Sequence, residues 1–155
     1  MAAYFLDSSA VVKLYIAETG TNWLKSLISA HQQHSFYIAR ITQVEVVSAL
    51  ARRGRAGSFT PAGLSAALAQ FHLDLPQIYV PMEITQAIIN QGMALAETHW
   101  LRGYDAVQLA AGLTLNTILM QTQQPPLVFL SADDTLLRAA RAEGLTVNNP
   151  NLHLS

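Results

Sequence analysis

The sequence contains no cysteine, so disulfides, cysteine-ligated zinc and thiol catalysis are excluded. Charge is scarce. Asp, Glu, Lys and Arg together make up 12% of 155 residues, about half the usual share. There is no basic excess either, because nine Lys and Arg face ten Asp and Glu. A protein that coats nucleic acid through a broad positive surface is therefore excluded, and any grip on a polyanion must be local. Long apolar runs are missing too. The most apolar stretch, Ala106 to Met120, is too short to span a bilayer and contains Gln108, Thr114, Asn116 and Thr117. No basic region precedes the apolar start and Asp7 interrupts it, so no targeting segment is expected. The expectation is a cytoplasmic protein that does not enter membranes.

What is present is an apolar majority, 51%, which excludes a disordered chain. Short β-like runs alternate with longer helical ones. Strands are predicted at Tyr4–Leu6, Phe36–Ala39, Ile78–Val80, Leu127–Leu130 and, as an edge, Thr146–Asn148. The intervening helices are predicted from Ser8 or Ser9 through Tyr15, from Thr21 to Ala30 and from Thr42 to Arg53. Others are predicted from Pro61 to Leu73, Ile84 to His99, Gly103 to Met120 and Asp133 to Glu143. Strands separated by helices imply an α/β fold, a mostly parallel sheet with helices on both faces. Ligands of such sheets bind beyond the carboxyl ends of the strands. Asp7 directly follows the first strand, and Asp133 lies just past the fourth.

The scarcity of charge makes each acid's position informative. Asp7 is the only charge from Met1 to Val12, and Glu45 is the only one from Ile41 to Ala51. Asp105 and Asp133 bracket an uncharged run from Ala106 to Ala132. Burying an unpaired carboxylate costs several kcal/mol, roughly. A divalent cation that prefers oxygen ligands, Mg²⁺ or Mn²⁺, compensates such acids without any basic partner. Bland readings exist for each acid alone: a helix cap for Asp7 or Asp133, a favourable helix-dipole position for Asp105. Glu45, a mid-helix acid between Val44 and Val46, has the weakest of these.

Four segments then carry a family resemblance. Tyr4-Phe5-Leu6-Asp7-Ser8-Ser9-Ala10-Val11-Val12-Lys13-Leu14 resembles the first motif of PIN-domain proteins of the VapC-like toxin ribonuclease group. Ile41-Thr42-Gln43-Val44-Glu45-Val46-Val47-Ser48-Ala49-Leu50 resembles the second, and Leu101-Arg102-Gly103-Tyr104-Asp105-Ala106-Val107-Gln108-Leu109-Ala110 the third. Leu130-Ser131-Ala132-Asp133, followed by Leu136, Ala139, Ala140 and Gly144-Leu145, resembles the fourth. The motifs follow the family's order and cover nearly the whole chain.

The resemblance implies a three-layer α/β domain over residues 1–155. It implies a catalytic, metal-holding set of Asp7, Glu45, Asp105 and Asp133, with Ser8 and Ser131 supporting it. The register favours Asp133 over the adjacent Asp134 as the fourth acid. One or two Mg²⁺ or Mn²⁺ ions per subunit are implied. So are hydrolysis of RNA to 5′-phosphate and 3′-OH ends, a homodimer and a cognate antitoxin. Arg40, Arg52 and Arg102 are candidate substrate contacts, alongside Arg53 and Arg55. Lys13 reads as an exposed lysine. Trp100 and Tyr104 bracket the third motif, where base stacking and core packing compete, with packing expected for at least one. His31 and His34 share a helix spacing but lack a third ligand for zinc. Two other functions stay open: a metal-dependent DNA nuclease or phosphoesterase, and a catalytically silent PIN module that binds RNA or a partner protein.

Overall fold

The computed structural model of the chain describes residues 1–154. Its elements in order are β1 (Ala3–Leu6), α1 (Ser8–Val12), α2 (Thr21–Ile28), β2 (Ser35–Ala39), α3 (Thr42–Arg55) and α4 (Pro61–Gln77). They continue as β3 (Tyr79–Met82), α5 (Gln86–His99), α6 (Gly103–Gln121), β4 (Val128–Leu130), α7 (Asp134–Ala142) and β5 (Thr146–Asn148). A short 3₁₀ turn, Pro150–Leu152, follows. The five strands form one parallel sheet in the order β3-β2-β1-β4-β5. The α/β, three-layer expectation is met.

Both faces of each inner strand are apolar, as a sheet covered on two sides requires. Side chains alternate between the faces. Phe5 and Phe129 stack with ring centres 5.3 Å apart and face Leu109, Leu136 and Leu137 of the α5–α7 layer. Leu6, Phe36, Ile38 and Leu130 point the other way, into a second core with Leu24, Leu50 and Phe71 of the α1–α4 layer. Gly112 lets α6 approach β4 closely, because a Cβ there would sit 2.8 Å from the Phe129 ring.

The chain winds outward from β1 to β3, then returns to β1's other side as β4. The strand order therefore reverses between β1 and β4. A crevice opens at such a reversal, at the carboxyl edge. The Asp7 N–H donates to the Leu130 carbonyl at 3.1 Å, so the two loops leaving β1 and β4 start side by side.

Some boundaries differ from expectation. α1 ends at Val12 rather than running through Tyr15. There the Thr21 hydroxyl donates to the Lys13 and Ile16 carbonyls and turns the chain into α2. α5 starts at Gln86, where Thr85 caps it by accepting from the Ile88 N–H. α4 extends beyond Leu73 to Gln77, its last turn held by the Asp74 side chain, which accepts from Tyr15 and Gln70.

Candidate active site

Asp7 caps α1 and is 2% exposed. Its Oδ1 accepts from the Ala10 N–H at 3.0 Å and the Ser9 hydroxyl at 2.7 Å. Its Oδ2 accepts from the Ser131 hydroxyl at 2.7 Å. Those two serines also receive backbone N–H groups from the β4–α7 loop, Ala132 onto Ser9 and Asp133 onto Ser131, each at 3.0 Å. The result is a closed weave joining the first and fourth motifs. Burial pushes the Asp7 carboxyl up to about 6, against the pull of its three donors, and the Asp105 charge pushes the same way.

Glu45 lies in the first turn of α3, half-buried, with Val44 exposed on one side and Val46 buried on the other. Its Oε1 accepts from the Gln108 amide at 2.8 Å and its Oε2 from the Ser8 hydroxyl at 3.3 Å. The same amide donates to the Thr42 hydroxyl at 2.8 Å. Gln108, on α6, thus ties Glu45 to the third motif. Burial raises the Glu45 carboxyl, its donors oppose this, and Asp105 adds to the rise.

Asp105 sits one helical turn before Gln108, in the first turn of α6. Among the described residues its carboxylate accepts no protein hydrogen bond. Burial raises it first, the Asp133 charge adds, and Arg102 opposes. Asp133 caps α7, with Oδ1 accepting from the Thr135 N–H at 2.9 Å and the Leu136 N–H at 3.2 Å. Asp134 turns away and accepts from the Asn149 amide.

Asp105 is therefore the hub of a set of acids that repel one another. Among the described residues, none of the four carboxylates takes part in a salt bridge. No three acidic or histidine side chains there close into a ready-made metal cage. Asp133 is turned onto its helix cap and Glu45 is drawn toward Gln108. The donors are nonetheless all hard oxygens, carrying negative charge that no basic group neutralises directly, and this chemistry fits Mg²⁺ or Mn²⁺. The Oε1 of Gln108, buried beside Glu45 with no partner among the described residues, is a further uncommitted oxygen.

A cleft of about 730 Å³ opens over this edge. Ser8 and Glu45 line it, with Arg52 and Arg53 from the end of α3, and Arg102 and Tyr104 at the start of α6. Of the four candidate acids only Glu45 lines it; Asp7, Asp105 and Asp133 lie outside the lining. Arg40 also lies outside it, where its Nε donates to Glu83 at 3.0 Å. Two readings of the sequence need correction. Lys13 is buried, not exposed, because its ammonium is bound to Glu18 and the Thr19 carbonyl. Neither Trp100 nor Tyr104 is core: they are 90% and 60% exposed. Trp100 ends α5 in the left-handed conformation, φ 53°, which turns the chain and leaves the indole outside.

Ser9, Thr42 and Gln108 are contacts that the sequence reading missed. A signal existed for Gln108, a polar side chain three residues after Asp105 in an otherwise apolar run.

The PIN domain family model matches residues 4–142. Ribonuclease VapC45 of Mycobacterium tuberculosis is 31% identical over 147 residues, covering 95% of each chain. Among solved structures, VapBC2 from Rickettsia felis, bound to a DNA fragment from their promoter, superposes with a TM-score of 0.64 at 11% identity. That match covers 95% of this chain and 98% of the other. The sarcin-ricin loop cleaving toxin VapC20 of M. tuberculosis gives 0.61 at 15% identity, covering 92% and 96%.

Proposed function

Because this chain belongs to the PIN-domain family, we propose that it is a divalent-metal-dependent endoribonuclease, the toxin of a toxin–antitoxin pair. The observation that carries this reading is the Asp7, Glu45 and Asp105 set: three carboxylates raised by burial and mutual charge, with no salt-bridge partner, of which Glu45 lines a cleft edged by arginines. The relative named as a ribonuclease, alike over 95% of both chains, supports the substrate class.

Asp7, Glu45, Asp105 and Asp133 would hold one or two Mg²⁺ or Mn²⁺ ions. When bound, such an ion lowers the pKa of a water and stabilises charge on a phosphoryl oxygen. The protein's own groups divide the remaining work. Ser9 and Ser131 fix Asp7, whose Oδ1 accepts two hydrogen bonds and whose Oδ2 accepts one, so Oδ2 keeps a lone pair for a cation. Ser8 and Gln108 fix Glu45. Asp105, which accepts no hydrogen bond among the described residues and is made more basic by burial, is suited to take a proton from the attacking water. Arg52 and Arg102 contact phosphates along the cleft.

The family resemblance supports a cognate antitoxin and a homodimer. Exposed apolar side chains on α5 and α6, Met93, Ile118 and Met120, are surface that partners of this kind would cover. No helix among the described residues is long and apolar enough to cross a membrane.

The test is cleavage of defined RNAs with Mg²⁺ or Mn²⁺, with Asp7→Asn and Asp105→Asn as controls. Cleavage is expected only with metal and unsubstituted acids. Cleavage that survives both substitutions, or excess EDTA, overturns the metal reading. Cleavage of DNA but not RNA overturns the substrate class. No cleavage, together with no metal binding by calorimetry, leaves a silent module.

A further inference from the structure

The cleft is lined by four cations, Lys13, Arg52, Arg53 and Arg102, and by two acids. Glu45 belongs to the candidate centre. The other acid, Glu18, lies on the loop between α1 and α2 and has no part in that centre. Its two oxygens are divided between two of the cleft's four cations. Oε1 accepts from the Lys13 ammonium at 3.1 Å, and Oε2 lies 3.6 Å from the Arg53 guanidinium. Among the described residues, Arg52 and Arg102 form no salt bridge.

Glu18 is held in place firmly. Its N–H donates to the Thr21 hydroxyl at 3.0 Å, and that hydroxyl donates in turn to the Lys13 and Ile16 carbonyls. Gly20 completes the loop at φ 88°, and a Cβ there would lie 2.3 Å from the Pro150 carbonyl oxygen. The loop therefore cannot relax easily. The two contacts of Glu18 are unequal. Lys13 is 5% exposed and also bound to the Thr19 carbonyl, so it stays with Glu18. The Arg53 side chain is 46% exposed and makes the longer contact, so it can leave.

We propose that Glu18 is an intramolecular stand-in for a backbone phosphate. A carboxylate shared by an ammonium and a guanidinium presents the same kind of anionic oxygens that a phosphodiester offers. A nucleic-acid strand entering the cleft engages Arg52 and Arg102 first, then displaces Glu18 from Arg53. Glu18 thereby sets a threshold. Ligands with one or two phosphates cannot complete the exchange, and a longer strand can. This inference rests on the nuclease reading of the same cleft.

The test is binding of a fluorescein-labelled single-stranded RNA, by anisotropy in EDTA at several salt concentrations, with the full chain. Glu18→Gln is expected to tighten binding about three- to tenfold at low salt. The slope of log K against log salt should stay the same, because Arg53 meets a phosphate in both complexes. Adding Arg53→Gln to that variant should abolish the gain and make the slope shallower by about 0.7. Because Glu18→Gln leaves a buried ammonium with a neutral partner, a thermal melt checks that the variant folds. Lys13→Met with Glu18→Gln removes both charges while keeping the apolar stem, and must show the same gain. Unchanged affinity in the folded variants, with the parent binding RNA, overturns this inference alone. A parent that neither binds nor cleaves RNA overturns the nuclease reading and this inference with it.

Discussion

Asp74 and Asp7 are each held by three or fewer neutral donors, at opposite edges of the same sheet. At the amino edge, Asp74 accepts from the Gln70 amide and the Tyr15 hydroxyl, both at 2.8 Å, and the Tyr79 hydroxyl lies 2.9 Å from that of Tyr15. Burial pushes both phenols well above their ordinary range, so they stay neutral and the cluster holds a single charge. At the carboxyl edge, Asp7 has comparable donors, but Asp105 faces it, and Glu45 and Asp133 face Asp105. One acid among neutral donors closes a polar cluster and pins α4 to β3. Several acids without a bound cation leave charge that must be balanced from outside. The first arrangement is a clasp, and the second is the arrangement expected of a cation site.

The largest expected effect breaks the second arrangement at its hub. Asp105→Asn should lower RNA cleavage by about three orders of magnitude, as loss of a single catalytic carboxylate does. Circular dichroism should find the fold intact, since no protein donor is stranded. Activity within tenfold of the parent would remove Asp105 from the chemistry.

Asp7 sharpens the contrast through pH. Its carboxyl stands near 6 when folded, against 3.8 ordinarily, so burial disfavours the ionised form by about 3 kcal/mol. The sign follows. The folded state binds the proton more tightly than the unfolded one. The resulting stability is complete below about pH 4 and is lost as pH rises through 6. Urea melts should therefore give a higher unfolding free energy at pH 4.5 than at 7.5, once other groups are accounted for by Asp7→Asn. That variant should flatten the dependence and be the more stable protein at pH 7.5. Millimolar Mg²⁺ or Mn²⁺ should stabilise the parent at pH 7.5 and do less for the variant. An identical pH profile for the two proteins would show that Asp7 does not carry the strain.

Gln108 joins the site to the core, and its loss should cost less. Gln108→Leu keeps the volume but frees Glu45, and a drop of about tenfold in kcat is expected, in the range seen when a supporting contact to a metal ligand is removed. Gln108→Glu sets a fifth acid beside Glu45 and should shift the pH–rate profile upward, which a purely structural role would not do.

What the sequence made readable follows from range. Asp7 and Asp133 could be placed because each closely follows a strand, and the positions of strands along the chain follow from local patterns. The boundaries of the central strands were readable for the same reason. Contacts between distant segments were not. Ser9 meets Ala132, and Gln108 meets Thr42, only after the sheet has formed. Lys13 reads as a surface residue because nothing local says that Gly20 and Thr21 will fold Glu18 and Thr19 back over its ammonium. Position alone suits Arg40 to the cleft, but β2 pairs with β3, and Glu83 just beyond β3 takes its guanidinium. The Trp100 ring is exposed because a left-handed backbone, which sequence seldom foretells outside glycine, ends α5 there.

The smallest effect tests the clasp. Tyr15→Phe removes one hydroxyl that donates to Asp74 and lies within hydrogen-bonding distance of Tyr79. The Tyr79 hydroxyl, buried with the rest of that side chain, then loses its partner, and Asp74 keeps only Gln70. A loss of about 1–2 kcal/mol is expected, the cost of leaving a buried polar group unsatisfied. RNA cleavage at a temperature well below the melt should not change, because the clasp lies at the edge of the sheet opposite the acids. Tyr79→Phe leaves the Tyr15–Asp74 bond in place and should cost less than Tyr15→Phe. If Tyr15→Phe lowered cleavage as much as stability, the two edges would be coupled through β1 and α1, and the division between clasp and site would fail.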